Sequence, residues 1–438
     1  MFWSRNRGAL AKKLREVGTS ATGEAYIGAL DVGSHMVKVL IGVRRGSNVE
    51  IKSVGTAESP GIHNGKIRDV ERTVAAIETA AKEAGSLLGI NSISQMPPMV
   101  LGVGGDSISG LCSFGLAVVN DEQITEDHIA ISLETANAVQ LPEGHTLIQT
   151  VPQEFVVDHQ RGIHNPLGMV ALRLESWVYL VTAKASYVKN LITCAKMAGV
   201  EVEKIAAIPV AVARSVLEDD ERELGSVVID VGESFTHLVI YRRGKLEMVA
   251  SLGVGGYDVL RGLSRAFQTT LEGARTLKDN YWELMEGYGA QEDRVEVPLR
   301  GERGVSSIPV REVELALEKE LEALFAKVNS FLVNNRCKDA IEAGAVITGG
   351  NAKIEMITQI ASRMLEMDVR VGRPLFRVDT KLAGTIKSPL YATAAGLLCY
   401  SRGKGSSTGT KGDVLKLSRK VGKEGELPMG VRVAGFLI

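Results

Sequence analysis

Two short Asp-Val-Gly segments hold the residues of this chain best suited to binding a phosphate group together with a metal ion. In the first, Asp31 ends an apolar run and is followed by Gly33 and Ser34. Glycine leaves backbone N–H groups open to an anion, and an aspartate beside such a turn suits a phosphate-bound Mg²⁺ reached through water. Taken alone, the segment is also explained by an ordinary β-hairpin with an acidic turn.

The same pattern recurs about half a chain later. Residues 227–241 read VVIDVGESFTHLVIY, in which one apolar strand precedes Asp230 and Gly232 and a second one follows them. Such a repeat predicts a duplicated fold whose halves present equivalent turns. Asp31 and Asp230 are therefore candidate Mg²⁺-facing carboxylates; turn aspartates that bind only local N–H groups are the alternative.

Two Gly-Gly turns are further candidates for contact with a nucleotide. Gly255–Gly256 lead into a helical pattern, and Gly349–Gly350 separate an apolar strand from an amphipathic helix. A strand, a glycine turn and a helix N-terminus form a common place for a nucleotide to lie. A plain connection within each half of the fold is the alternative for both turns.

Alternating strand and helix patterns must position these turns, and they predict an α/β fold. From Pro97 the pattern changes to long extended stretches, which predict an inserted subdomain. The predicted domains are a basic amphipathic segment at 1–24, a first core at 25–96 and 183–222, the insertion at 97–182, a second core at 223–267 and 336–400, a further subdomain at 268–335 and a flexible basic tail at 401–438.

Composition and charge restrict the class of protein. The 438 residues are 45% hydrophobic and 24% charged, which is ordinary for a soluble chain of two or more domains. The net charge of −1 argues against nucleic acid as a partner. No apolar run approaches the roughly 20 residues of a transmembrane helix, and no signal-peptide pattern is present, so we expect a protein that is not exported. Four dispersed cysteines are expected to be reduced core thiols: Cys112, Cys194, Cys337 and Cys399.

Both ends of the chain are basic, whereas the body between them is acidic. The first 17 residues carry a net charge of +4 and the last 38 carry +5, within a chain whose total is −1. One face of a predicted N-terminal helix is apolar, which is typical of a helix that lies in a membrane interface. That face includes Phe2, Trp3, Leu10 and Leu14. A flexible basic leader, or a helix docked on the protein itself, is the alternative.

Six stretches together resemble the FtsA family of the actin-like ATPase superfamily, and the resemblance covers about residues 26–400. They are GIHNGKIRDVE at 61–71, VPQEFVVDHQRGIHNPLGM at 151–169, LEDDERELGSVVIDVG at 217–232, RVEVP at 294–298, VITGGNAKIE at 346–355 and PLYATAAGLLCY at 389–400. The resemblance implies an α/β, actin-like (ribonuclease H-like) duplicated fold, with a nucleotide cleft between two domains and an FtsA-type inserted subdomain.

The nucleotide site of the family implies ATP and Mg²⁺ as ligands, and it maps onto the turns described above and one helix. The residues implied are Asp31, Gly33, Ser34, Lys38, Asp230, Gly232, Phe235, Thr236, Gly255, Gly256, Arg275, Lys278, Gly349, Gly350, Asn351 and Lys353. Asp31 and Asp230 are the residues implied to face Mg²⁺, through water.

Two departures from the family pattern bear on what the nucleotide does. Residues 233–237 replace the run of glycines that many actin-like ATPases carry, and Arg275 stands where an acidic residue often accepts a ribose hydroxyl. No residue is an evident general base for activating water. We therefore expect at most weak ATP hydrolysis, with ATP acting mainly as a conformational and assembly ligand.

The resemblance implies an adaptor at the division site, peripheral to the cytoplasmic face of the bacterial inner membrane. Such an adaptor binds the C-terminal tail of FtsZ, associates into filaments on an anionic membrane surface and recruits later division proteins. Subdomain 268–335 is the implied receiver of the FtsZ tail, with Arg300, Arg303 and Arg311 as candidate contacts. A PilM-like scaffold of a pilus or secretion machine is the alternative, and a small-molecule kinase or phosphatase of the same superfold is a second one.

Overall fold

The structure is a computed structural model that describes residues 25–45, 48–279, 294–301, 304–378, 382–401 and 432–435. Its strands are β1 (Tyr26–Val32), β2 (Met36–Arg45), β3 (Asn48–Glu58), β4 (Ile62–His63), β5 (Lys66–Ile67), β6 (Met99–Val103), β7 (Ser109–Gln123), β8 (His145–Val157), β9 (Gln160–Ile163), β10 (Val170–Lys184), β11 (Val202–Ala207), β12 (Ser226–Val231), β13 (Thr236–Arg242), β14 (Lys245–Leu252), β15 (Arg294–Pro298), β16 (Val305–Pro309), β17 (Ala345–Thr348), β18 (Val369–Val371), β19 (Arg377–Val378) and β20 (Arg432–Gly435).

The α-helices of this part of the chain complete the α/β pattern. They are α1 (Val70–Ser86), α2 (Glu126–Asn137), α3 (Ala185–Met197), α4 (Ile208–Val216), α5 (Asp219–Leu224), α6 (Gly256–Ala266), α7 (Leu271–Asp279), α8 (Val310–Asn334), α9 (Ile357–Leu365), α10 (Ala383–Ile386) and α11 (Ala392–Leu398).

Each half of the duplication contributes five strands in the same order. The order is β3-β2-β1-β6-β11 in the first half and β14-β13-β12-β17-β18 in the second. In both halves the first three strands form antiparallel hairpins, and the last two pair in parallel. The central strands β1 and β12 are apolar and buried because core residues pack on both faces of each sheet. The predicted duplicated α/β fold is confirmed.

The inserted subdomain is an antiparallel sheet of β8, β10 and β7, with α2 packed against it. It starts after Val103, because Met99–Val103 forms β6, which pairs in parallel with β1 and β11 of the first core. The predicted start at residue 97 was therefore wrong by one strand. The apolar pattern of a single strand does not reveal which neighbours it will pair with.

Helix α11, the last of the described helices, returns to the first lobe, although the sequence predicts that all of residues 336–400 belong to the second core. Helix α11 packs against α4, β1 and β2, and Leu397 and Leu398 share a core with Ile27 and Leu40. Helix α4 in turn contacts β12 and β13 of the second sheet. The crossing of α4 and α11 is therefore one of the places where the two lobes are joined.

The subdomain predicted at 268–335 consists, in its described part, of α7, the β15–β16 hairpin and α8. The apolar stripe along α8 is core that faces α6 and α9, since its residues are at most 2% exposed: Leu317, Leu321, Leu324, Val328 and Leu332. Among the described helices, none has the length and apolar character needed to cross a membrane.

The last described segment lies at the junction of the first core and the insertion. Strand β20 pairs in parallel with β11 on one side and with β8 on the other, so that the two sheets become continuous. The rest of the predicted flexible tail, and the predicted amphipathic segment 1–24, lie outside the described residues. Of the cysteines, Cys194, Cys337 and Cys399 are buried, whereas Cys112 is exposed on β7, contrary to its prediction as a core thiol.

Candidate functional site

The two Asp-Val-Gly turns meet at one cavity between the lobes. The cavity has a volume of about 400 Å³ and is bounded by the β1–β2 turn, the β12–β13 turn, α7 and the turn that follows β17. Most of the predicted nucleotide residues line it: Asp31, Gly33, Ser34, Lys38, Asp230, Gly232, Phe235, Arg275, Lys278, Gly349, Gly350, Asn351 and Lys353. The fold thus brings together turns that lie some 200 residues apart in the chain.

A buried ion pair lies beside the first turn. Lys38 Nζ is 2.6 Å from Asp31 Oδ2, and the two residues are directly opposite each other in the β1–β2 ladder. Their side chains are only 10% and 4% exposed. Buried charges are tolerated when they are paired, so each ion holds the other in place at the cavity wall.

The second turn places a histidine where the first turn has Lys38. Asp230 pairs with His237 in the β12–β13 register, as Asp31 pairs with Lys38 in the first hairpin. His237 is buried and lines the cavity, and its Nδ1 has no hydrogen-bond partner among the described residues. His237 is not among the residues predicted for the site, although an alignment of the two repeats places it opposite Lys38.

Burial drives Asp230 and His237 toward their neutral forms. Desolvation, together with the nearby Asp31 charge, raises the pKa of Asp230 to about 7, while Lys38 opposes this shift. Desolvation lowers the pKa of His237 to about 4. The wall of the cavity therefore carries less charge near neutral pH than its residue types suggest.

These shifts predict how the free energy of unfolding depends on pH. The folded chain binds the proton of Asp230 more tightly than the unfolded chain does. Asp230 therefore adds to the free energy of unfolding below about pH 4, and this contribution is lost as the pH rises to about 7. The contribution of His237 has the opposite sign and is lost as the pH falls from about 6.5 to about 4. Relative to the native chain, Asp230→Asn should gain stability as the pH rises through this window. Chemical denaturation at a series of pH values measures the effect. His237→Gln should show the opposite trend, and parallel profiles for all three proteins would contradict the assignment.

The turn after β17 is held tightly against the second Asp-Val-Gly turn. Gly349 has a φ of 91°, and a Cβ at this position would lie 2.5 Å from Asp230 Oδ1. The Asn351 side-chain amide donates to the Gly232 carbonyl oxygen at 2.9 Å, and Lys278 Nζ donates to Asn351 Oδ1 at 3.1 Å. Helix α7, the second turn and the Gly-Gly turn therefore form one connected wall.

Three predicted nucleotide residues lie behind the second turn instead of on the cavity wall. The Thr236 hydroxyl donates to a backbone carbonyl oxygen at 2.8 Å. The Gly256 N–H donates to the Gly232 carbonyl oxygen at 2.9 Å, and the Gly255 N–H donates to Asp258 Oδ2 at 3.0 Å. Because these donors are already used within the protein, the three residues support the turn from behind.

Phe235 closes one side of the cavity by contacting the opposite lobe. A Cβ at Gly65, whose φ is 63°, would lie 2.1 Å from the Phe235 ring. In the same way, a Cβ at Gly104 would lie 3.0 Å from His237 Nε2. Glycines of the first lobe therefore make room for aromatic rings of the second, and the lobes touch across the cleft at these points.

The candidates for partner contact lie away from this cavity. Arg300 donates to the carbonyl oxygen of Ser264, near the end of α6, at 3.1 Å, and Arg311 pairs with Glu314 on its own helix. Arg303 and the candidate membrane residues lie outside the described part of the chain: Phe2, Trp3, Leu10 and Leu14.

The donor set of the cavity suits a magnesium-bound nucleotide. Asp31 and Asp230 offer the oxygen ligands that Mg²⁺ prefers, and Lys38 places a cation beside the first turn, where it suits a phosphate group. The volume of about 400 Å³ is in the range of small-molecule sites. The chemistry and position of these side chains therefore fit a polyphosphate held between the two lobes.

Comparison with known proteins agrees with this architecture. The family model described as "Cell division protein FtsA" matches residues 227–396, and that described as "SHS2 domain inserted in FTSA" matches residues 105–182. Cell division protein FtsA of Pseudomonas aeruginosa is 31% identical over 386 residues, which cover 88% of this chain and 91% of that protein. Its counterpart in Escherichia coli K12 is 29% identical over 390 residues, covering 87% and 91%.

Solved structures share the fold at low sequence identity. The PilM-PilN type IV pilus biogenesis complex aligns with a TM-score of 0.59 at 17% identity, covering 85% of this chain and 97% of that one. MreB 5 of Spiroplasma citri bound to AMPPNP aligns with a TM-score of 0.50 at 13% identity, covering 85% and 94%. These likenesses confirm the predicted actin-like fold. Because relatives at 29–31% identity span nearly the whole chain and a family model matches the insertion, the chain belongs to the FtsA family of cell division proteins.

Proposed function

We propose that this FtsA-family protein is an ATP-responsive adaptor that holds the FtsZ ring at the cytoplasmic face of the inner membrane. The observation that carries the nucleotide part is the meeting of two equivalent Asp-bearing turns and a Gly-Gly turn at one cavity between the lobes. A ligand that contacts both lobes favours their closed arrangement, because its full binding energy is available only in that state. ATP then acts as a conformational ligand, and the closed form associates into filaments.

The cavity residues divide between the parts of the nucleotide. The turns at Gly33 and Gly232, with Lys38, would hold the phosphates, and the Gly349 turn with Lys278 would hold the adenosine end. Bound Mg²⁺ would supply charge neutralisation at the phosphates, with the two turn aspartates facing it through water.

Three of the carboxylates that line the cavity have cationic partners, which favours binding of ATP over its hydrolysis. Asp31 pairs with Lys38, Glu233 pairs with Arg275, and Asp279, which also lines the cavity, lies 3.5 Å from Lys278 Nζ. None of these three is a free, ionised base positioned to activate water. At most weak ATPase activity is therefore expected.

A cationic groove in the second lobe suits the FtsZ tail. The groove lies between α6 and α8, has a volume of about 300 Å³ and is lined by Arg261, Arg265 and Lys327, with Asp258 and Glu320 also present. Arg300 reaches the end of α6 beside it. Arginines bind carboxylates through paired hydrogen bonds, which supports docking of a short tail that carries acidic groups.

The membrane contact is assigned to the basic, partly apolar segment 1–18. A single interfacial helix binds a bilayer weakly, and association of many copies into a filament adds avidity. Positive charge at both chain ends also favours an anionic surface. Recruitment of later division proteins would follow from the position of the adaptor at the division site.

The adaptor role predicts that the chain carries FtsZ to vesicles. In a sedimentation assay with anionic vesicles, Mg²⁺-ATP and purified FtsZ, the full chain should bring FtsZ into the pellet. Deleting residues 1–18 should leave both proteins in the supernatant. Arg300→Gln should still sediment while carrying clearly less FtsZ, and Arg363→Gln, a charge-matched control at an exposed ion pair on α9, should behave like the native chain. Sedimentation that is unchanged by the deletion would contradict the membrane assignment.

A PilM-like scaffold role is the second candidate, and the structural likeness to the PilM-PilN complex is the observation that favours it. Sequence identity across the whole chain favours the division role. The same vesicle assay separates the two, because a pilus scaffold should sediment without bringing FtsZ with it.

A further inference from the structure

An ion pair on the cavity wall joins helix α7 to the second Asp-Val-Gly turn. Arg275 on α7 lies 2.7 Å from Glu233 of the second Asp-Val-Gly turn. Its other terminal nitrogen is 3.4 Å from Nε2 of His35, which follows the first turn. All three side chains line the cavity. One guanidinium therefore contacts residues of both lobes on the cavity wall.

The pair sets the charge that an incoming anion meets. The Glu233 side chain is only 12% exposed and the Arg275 side chain is 31% exposed, so Glu233 depends on this partner for its compensation. Without Arg275, a poorly solvated carboxylate would face the phosphates and repel them. Arg275 therefore provides a cation at this site, and it is paired with Glu233 on a turn that is expected to face phosphate.

We propose that Arg275 is a phosphate-responsive bridge, whose guanidinium leaves Glu233 for a phosphate oxygen when nucleotide binds. This inference rests on the proposed nucleotide function and gives Arg275, which already belongs to the expected nucleotide site, a specific role in it. Guanidinium binds carboxylate and phosphate with similar paired geometry, so the exchange replaces one charged hydrogen bond by another. In the unliganded protein the same group links α7 to both turns, so it couples occupancy of the cavity to the contact between lobes.

The direction in which two substitutions change the affinity for ATP tests the proposed exchange of partners by Arg275. In calorimetric titrations with Mg²⁺-ATP, Arg275→Gln should weaken binding by about tenfold, since the contact with phosphate is lost and no cation then stands between Glu233 and the phosphates. Glu233→Gln should strengthen binding, because Arg275 no longer has to leave an anionic partner. The double variant should fall between the two single ones, and Arg363→Gln on α9 should match the native chain.

Hydrogen exchange of the unliganded protein provides a second readout. Arg275→Gln should speed exchange of amides in residues 33–36 and 232–235, and Arg363→Gln should not. The inference is overturned if Glu233→Gln weakens ATP binding, which would make Glu233 itself a ligand contact, or if Arg275→Gln strengthens it, which would make Arg275 an obstruction. Failure of the native chain to bind ATP would overturn the proposed nucleotide function and this phosphate role together, whereas normal native binding with unaltered variants would overturn this inference alone.

Discussion

Replacing Gly396 by valine is expected to destabilise the protein by about 3 kcal/mol or more. Gly396 lies in α11 where that helix crosses α4, and a Cβ added there would lie 1.8 Å from the carbonyl oxygen of Ala211. The backbone of α4 cannot move away cheaply, because Ser215 of the same helix donates to the Ala392 carbonyl oxygen at 2.7 Å. The gain in helix propensity on replacing glycine is at most about 1 kcal/mol and does not offset the overlap.

This crossing joins the two lobes, so the substitution should also loosen the cleft. Thermal denaturation followed by circular dichroism measures the stability loss. Gly384→Val is the matched control, since a Cβ at Gly384, in α10, meets nothing within 4 Å. Equal melting temperatures for the Gly396→Val and Gly384→Val proteins would contradict the close packing of α4 on α11.

Asp31→Ala is expected to remove Mg²⁺-ATP binding and to destabilise the unliganded protein. Lys38 is only 8% exposed, and the substitution leaves its ammonium group without a carboxylate partner. Breaking a buried pair by removing one member costs about 3 kcal/mol. The proposed Mg²⁺-facing carboxylate is lost at the same time.

A double variant separates these two effects. Asp31→Ala combined with Lys38→Met removes both charges, so stability should recover toward that of the native chain while ATP binding stays absent. Urea denaturation and calorimetry on the same samples provide both quantities. Recovery of ATP binding in the double variant would show that Asp31 serves only to neutralise Lys38.

The hairpins at both sites could be predicted because their signal is local. An apolar strand, Asp-Val-Gly and a second apolar strand lie within about 17 residues of one another, and the repetition of this unit predicts equivalent places in two halves. The same locality explains why the cavity wall was largely foreseen. Asp31 and Asp230 lie next to the last residues of β1 and β12, and Gly349 directly follows β17; such strand ends meet at one edge.

The placements of β6 and α11 could not be predicted, because they depend on contacts between elements that are distant in sequence. Whether β6 belongs to the insertion or to the first core depends on its neighbours β1 and β11, which are distant in sequence. The return of α11 to the first lobe depends in the same way on its packing against α4. Thr236 was placed on the cavity wall by resemblance, but its side chain points to a backbone acceptor, which only the local fold determines.

The ion pair of Arg275 and Glu233 shows that two departures from the family pattern can be explained only when their contact in the folded chain is known. From the sequence, Arg275 was an isolated departure at a ribose contact. Glu233 was one of several residues that replace glycine in the second turn. Their contact at 2.7 Å unites the two departures into one feature. Residues 42 positions apart give no sign of this from spacing alone.

The cleft between the lobes should bind Mg²⁺-ATP, and calorimetric titration of the full native chain tests this most directly. The convergence of Asp31, Lys38, Asp230 and the glycine turns on one cavity predicts one binding site per chain, with an affinity in the micromolar range and a dependence on Mg²⁺. Absence of heat exchange and of any thermal shift at millimolar ATP would contradict the account, and would leave a scaffold that keeps the fold without using its cleft.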